Sequence, residues 1–477
     1  MSELEESAGP ATDYDITPLL QPLRIRGLQL RNRFVMPGMQ RYWCVDGAPD
    51  RRLGEYYRRR VLGGASLVIS ESCAIDHPSA TKNPTFARIS PGTREAWRAC
   101  VAGVHEAGGA MFLQLWHQGA VNYGGDADSN PDFVALSPSG IAHPGESFGR
   151  AATEAELASL KRAFVQGALD AAEIGADGVE LHSAHGFLLD QFLWPGTNRR
   201  ADRYGGQAIT DRATFVAEVA EAVRAATGPD FVISVRISQW KESDFDAKIV
   251  EEPGQLGELV GLLRAAGADI FHVSTRRFWT PEWDGSDLGL AGWAKSFTDA
   301  AVIAVGSVGL DIDVMASLAG QEGRPTGASR IGELVRRFQR GDFDLVSVGR
   351  SQIGDPNWVT KVTDHRIPDI RRFRADDTSL SHDVVTTLRV TLRPGRIPGD
   401  TVDEYARDLG CRLAARVRRS QRDERRSHEE DAAGHQRPVK PRRGRHGRRR
   451  MRRQQRVGPR GRERREDREP ERRAHLG

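Results

Sequence analysis

Two histidines three residues apart, His182 and His185, close a short apolar run and open the segment HSAHGF. Imidazoles at this spacing suit three roles: binding a metal, donating to a developing oxyanion, or packing. A metal site would want a third carboxylate or thiolate converging on the pair. None stands near, so no metal is expected. Other polar residues end other apolar runs: Gln114 and His117, then Arg236, then the glycines of AVGSVG (Gly306, Gly309) and SVGRS (Gly349), the latter followed by Arg350. Glycine lets backbone N–H groups approach a phosphate and arginine adds a bidentate cation, although glycine serves plain tight turns equally well.

Residues so far apart in the chain need a scaffold that gathers strand ends. From about Leu19 to about Asp377 one unit repeats: an amphipathic helical stretch, a glycine-containing turn such as EAGGA, GADG or GDFD, and a brief apolar run. Runs at Arg33–Met36, Leu67–Ser70, Met111–Gln114, Val179–His182, Phe231–Arg236, Ile270–Val273, Val302–Val305 and Leu345–Val348 read as parallel strands buried on both faces. Helical spacing is clearest over Glu154–Glu173 and Thr214–Ala226. Eight βα units favour a closed (β/α)8 barrel (TIM barrel), an α/β fold whose active site lies at the carboxyl ends of the strands. A doubly wound open sheet is the alternative, and the missing GxGxxG after the first strand speaks against it.

The chain has 477 residues and a net charge of +4. That balance hides an uneven distribution, because residues 378–477 carry an excess of roughly +14. The expected organisation is a flexible N-terminus (1–15), the barrel (16–377), and an arginine-rich, low-complexity tail (378–477) with too few apolar residues to bury a core. The tail lacks interleaved aromatics, so it reads as a solvated or non-native extension rather than a nucleic-acid arm. Four dispersed cysteines suggest reduced, structural thiols. No apolar stretch is long enough for a membrane span, and MSELEESAGP does not read as a signal peptide. A cytoplasmic protein acting on a small molecule is expected, with homo-oligomerisation left open.

The run HSAHGFLLDQFLWPGTNRRADRYGG (182–206), followed by Asp211 and Arg212, resembles the signature of the old yellow enzyme family of FMN-dependent oxidoreductases. RNRFVMPGMQRY, LVISESCA, FLQLWHQG, ISVRIS, IAVGSVG and LVSVGR are similar to family motifs in the same order, and the resemblance covers roughly Ile16 to Asp377. It implies FMN at the strand ends, reduced by NADH or NADPH. Gly38 and Met39 would border the flavin, Gln40 would stand by its O4, and Ala74 would approach its reactive edge. Gln114 would read the pyrimidine, Arg236 would sit near N1 and O2, and Gly306, Ser307, Gly349 and Arg350 would hold the phosphate. His182 and His185 would bind the substrate oxygen, with Trp116 and Phe187 in the pocket. The implied reaction passes hydride to the β-carbon of an activated alkene.

The sequence departs from that pattern at Phe187, where many members have the tyrosine that protonates the α-carbon. Tyr42 or water must then serve, or the reaction differs. The expected function is thus an FMN ene-reductase using NAD(P)H. An FMN-dependent amine dehydrogenase or demethylase is the second reading, and a nucleic-acid-binding protein acting through the basic tail is the third.

Overall fold

The computed structural model describes residues 14–122, 130, 132–312, 323–374 and 377. The expected tail (378–477) and residues 1–13 lie outside them. Packed chain is already present at Tyr14, whose hydroxyl donates to the Val362 carbonyl at 2.7 Å.

Eight parallel strands form the centre: β1 (Phe34–Met36), β2 (Leu67–Ala74), β3 (Ala110–Trp116), β4 (Gly178–His185), β5 (Val232–Lys241), β6 (Ile270–Ser274), β7 (Ala301–Val305) and β8 (Leu345–Ser347). Each pairs with its successor, and β8 pairs with β1, which pairs with β2. The sheet therefore closes, as the count of βα units implied. An open sheet is ruled out.

The strands run past the expected ends. β2 continues to Ala74, β3 to Trp116, β4 to His185 and β5 to Lys241, so Ala74, Trp116 and His185 lie within strands instead of after them. The apolar run breaks where serine, glutamine, glutamate and histidine begin, while the backbone ladders carry on past irregularities at Ile69–Ser72 and Ser183–His185. These polar side chains point into the barrel and bond to one another. The helix expected over Thr214–Ala226 spans Ile209–Thr227, because Asp211 and Arg212 enter its first turn. The buried Arg212 guanidinium there donates to the carbonyls of Leu193 and Ile249.

The barrel interior is layered. At the amino ends, Val35, Leu67, Ile69, Phe112, Val232, Ile270, Ile303 and Leu345 form an apolar floor. It is plugged by an antiparallel hairpin, Leu23–Ile25 with Leu28–Leu30, which buries Ile25 and Leu30 against it. Each such buried aliphatic contributes about 1.5–3 kcal/mol. Two residues higher on the same strands the layer is polar: Gln114, Glu180, Ser234 and His272 are all buried, and adjacent strands bring Gln114, Glu180 and Ser234 into one register. The helices pack outside, and this buried polar layer lies toward the carboxyl end of the barrel.

Candidate active site

His182 and His185 end β4, and Nε2 of the first lies 3.3 Å from Nδ1 of the second. An irregularity in the β4–β5 ladder between Ser183 and His185 and a left-handed backbone at His185 (φ 66°) turn the second ring toward the first. The turn is clamped from below. The carboxylate of Asp190 accepts from the Gly186 N–H at 2.6 Å and from Lys241 Nζ at 2.8 Å, and Lys241 also donates to the Ser238 carbonyl. Both members of this ion pair are fully buried. Burial pushes the Asp190 carboxyl up to about 6 even though Lys241 opposes the shift.

Burial, with Arg236 nearby, pushes both site histidines well below the usual imidazole range. Each is therefore neutral at pH 7 and carries one N–H. On His185, Nε2 lies 2.8 Å from Ser274 Oγ and the ring packs on Trp240 at 4.4 Å. Both of its nitrogens are thus engaged by protein. His182 Nδ1 is buried and has no partner among the described residues.

Below the pair lies the polar layer. Gln114 Nε2 donates to Glu180 at 2.8 Å while its Oε1 accepts from Ser72 at 3.1 Å. Glu180 also accepts from Ser234, and its other close neighbour is His272 Nδ1 at 2.8 Å. Burial alone would raise Glu180, but His272, Arg236 and Gln114 together hold it down at about 2, so it is a carboxylate. Arg236 Nη1 lies 3.4 Å from the Gly38 carbonyl. Gly38 presses on this layer so closely that a Cβ there would fall 2.5 Å from the Ser70 carbonyl and 2.9 Å from Gln114 Nε2.

An aromatic wall joins the other predicted residues. Tyr42 meets Phe86 edge-on at 5.3 Å, Phe86 stacks on Trp116 at 4.7 Å, Trp116 meets Phe187 at 5.4 Å, and Phe187 meets His182 at 4.8 Å. Tyr42 is in the left-handed region (φ 57°), in a turn held by Glu71. That buried carboxylate accepts from the Arg41 N–H at 2.5 Å, and burial pushes it up to about 7. Burial, reinforced by Glu242 and Glu71, raises the Tyr42 phenol, which stays neutral. Both amide atoms of Gln40 are buried without a partner among the described residues.

Across the mouth, Gly306, Ser307, Gly349 and Arg350 come together from β7 and β8. Arg350 Nη2 lies 3.4 Å from Ser307 Oγ and donates to the Ile312 carbonyl at 3.0 Å. Gly306 (φ 157°) leaves no room for a side chain, since a Cβ would meet Thr275 at 2.5 Å. A Cβ on Gly349 would fall 3.3 Å from Met39 Sδ, so the β1 and β8 loops approach closely there. Ala74 pairs in register with Trp116 across β2 and β3.

Every predicted site residue is thus at one end of one barrel. Sequence reasoning missed Glu71, Glu180, Asp190, Lys241, His272 and Ser274. Their signal was present as charged or polar residues interrupting apolar strands, which are tolerated there only when bonded.

The sequence profile of the NADH:flavin oxidoreductase / NADH oxidase family matches residues 18–326. The NADH oxidase of Thermoanaerobacter brockii is 31% identical over 359 residues, covering 73% of this chain and 51% of that protein. The 12-oxophytodienoate reductase 7 of Oryza sativa subsp. japonica is 35% identical over 237 residues, covering 46% of this chain and 58% of the relative. The chain therefore spans about half the length of these curated relatives. Morphinone reductase in complex with tetrahydroNAD superposes with a TM-score of 0.60 at 27% identity, covering 73% of this chain and 91% of that one. On the profile match and these likenesses, the chain belongs to the NADH:flavin oxidoreductase / NADH oxidase family, that of the old yellow enzymes.

Proposed function

We propose that this protein is an FMN-dependent oxidoreductase that takes hydride from NADH or NADPH and delivers it to the β-carbon of an activated alkene such as an α,β-unsaturated carbonyl. The observation that carries this reading is the buried, neutral histidine pair set above a polar layer that has unpartnered groups around it. The residues fit a flavin. The unpartnered amide of Gln40 and Nε of Arg236 await polar partners, Gly38 lets the backbone lie against the Gln114 amide where a Cβ would clash, and Ser307 with Arg350 offers an anion site. FMN, when bound, supplies a carrier that accepts hydride from nicotinamide and passes it on.

The remaining work falls to the chain. Gln114, its amide oriented by Glu180 and Ser72, reads the pyrimidine edge, and Arg236 keeps positive charge where the reduced ring gathers negative charge. With Ser274 Oγ–H donating to His185 Nε2, His185 Nδ1–H donates to His182 Nε2, and His182 Nδ1–H is left for the substrate oxygen. A preorganised donor of this kind stabilises the enolate-like charge as hydride arrives. Phe187 holds the His182 ring edge-on and cannot donate a proton. The neutral Tyr42 phenol or water supplies it at the α-carbon.

Family and structural neighbours favour this reading over amine dehydrogenation and over a nucleic-acid arm, whose residues lie outside those described. No helix among the described residues is long and apolar enough to cross a membrane, and we place the protein in the cytoplasm acting on small molecules. The test is anaerobic reduction of the yellow protein by NADH and by NADPH, followed by reoxidation with a panel of enones and tertiary amines. Rapid bleaching by either nicotinamide and recovery of colour with enones are expected. A protein that neither nicotinamide reduces would sink the proposal.

A further inference from the structure

We infer that a cleft between the loops following β5 and β6 binds the anionic end, phosphate or carboxylate, of the molecules that dock beside the histidine pair. The inference rests on the oxidoreductase reading above. The cleft measures about 280 Å³. The β5 side contributes Trp240, Phe245 and Lys248, and the β6 side contributes Arg276, Arg277 and Glu282.

The cleft starts where the histidine pair ends. Trp240 packs on His185 at 4.4 Å and on Phe245 at 5.7 Å, and its indole N–H donates to the Ser274 carbonyl at 3.2 Å. Ser274, whose hydroxyl lies 2.8 Å from His185 Nε2, also lines the cleft. One indole therefore separates a group held in the cleft from the imidazoles.

Its charge is one-sided. Glu282 is the one acidic side chain among the described lining residues, and Lys248 Nζ already sits 2.5 Å from it. Arg277 has no carboxylate partner among the described residues. Arg276 lies along the wall, 4.9 Å from the Phe245 ring centre. Guanidinium forks match the geometry of phosphate and carboxylate, and both arginines are exposed where an incoming anion can reach them. The volume is near the roughly 300 Å³ lower end of small-molecule sites. That accommodates a pyrophosphate or a short carboxylate tail, not a whole dinucleotide. The reduced nicotinamide and the alkene must use the catalytic face in turn, so either could present the anion.

The test uses the FMN-loaded full-length protein and Arg277→Glu, with Arg277→Gln as a milder second variant. In the reductive half, NADH and NADPH are compared with the phosphate-free hydride donor N-benzyl-1,4-dihydronicotinamide. In the oxidative half, trans-4-oxo-2-pentenoate is compared with neutral 2-cyclohexenone. The expected result is a fall of about 5- to 30-fold in the anionic-to-neutral ratio of kcat/KM in at least one half, smaller for the glutamine variant and shrinking with added salt. A fall in the reductive ratio assigns the cleft to the dinucleotide phosphates, and a fall in the oxidative ratio assigns it to a substrate tail. Ratios within twofold of wild type in both halves would overturn the inference while leaving the oxidoreductase reading intact. A wild-type protein that retains no flavin would overturn both.

Discussion

Oε2 of Glu180 lies 2.8 Å from Nδ1 of His272 in the middle of the barrel, and the same carboxylate receives the Gln114 amide on its other oxygen. One buried charge thereby fixes the Gln114 amide: Nε2 is taken by Glu180, and Oε1, which accepts from Ser72, keeps a second lone pair for a donor. Buried networks of this kind lose more than the sum of their bonds when one member changes. Glu180→Gln should weaken FMN binding by roughly 10- to 100-fold, since a neutral amide no longer dictates the Gln114 orientation and leaves Arg236 without its nearby carboxylate. Flavin fluorescence titration of the apoprotein measures it, with circular dichroism confirming the fold. Unchanged affinity would show that Glu180 is only a packing group.

The hydrogen-bond chain from Ser274 through His185 to His182 makes the two histidines unequal. His182→Ala should slow flavin reoxidation by 2-cyclohexenone by about 10²- to 10³-fold, the usual effect of losing an oxyanion donor. His185→Ala should cost less, because the His182 ring keeps its N–H. Stopped-flow reoxidation rates separate the two, and a larger loss at His185 would reverse the assignment.

Phe187 stands 4.8 Å from the His182 ring and 5.4 Å from Trp116, ring centre to ring centre. Phe187→Tyr places a phenol beside the substrate pocket and should speed single-turnover reoxidation by simple enones by roughly 10- to 100-fold. If the rate does not change, the proton already arrives efficiently from Tyr42 or water.

His117, His182 and His185 all have imidazoles pushed below their ordinary value of 6.5, first by burial. As pH falls through 6.5 the unfolded chain takes up protons that the native state refuses. The stability these neutral rings confer is complete above that pH and declines below it. Between pH 7 and 5.5 that loss is opposed by Glu71 and Asp190, whose raised carboxyls take up protons in the native state before the unfolded one, so the net decline steepens below about pH 5, where the unfolded carboxyls also protonate. Glu180, depressed from 4.5 to about 2, adds a further loss below pH 4.5. Urea denaturation midpoints from pH 7 to 3.5 provide the measurement, and a flat profile below pH 5 would contradict it.

Lys241 and Asp190 are both fully buried and 2.8 Å apart. Lys241→Met strands a carboxylate in the interior, so a loss of about 3–5 kcal/mol is expected. The Gly186 turn should loosen as well, raising KM for the enone. Chemical denaturation and steady-state kinetics on the same preparation check both effects. A variant as stable as wild type would mean that Asp190 simply takes up a proton when its partner goes.

Local pattern carried much of this protein. Parallel strands buried on both faces must be apolar, and glycine must end the helices that precede them. Eight such runs are therefore visible in one dimension, and their ends name Gln114, His182, Arg236, Gly306 and Gly349. The pattern stopped being informative where the strands turned polar. Nothing local says that Glu180 and His272 meet across 92 positions, that Lys241 returns to Asp190, or that Ile25 and Leu30 plug the barrel floor. A buried polar group is defined by its partner, and partners come from different βα units brought together only by closure of the sheet. The same holds for the cleft beside His185: its arginines are ordinary loop residues in sequence, and only the packing around Trp240, at the end of β5, sets that charge beside the histidines.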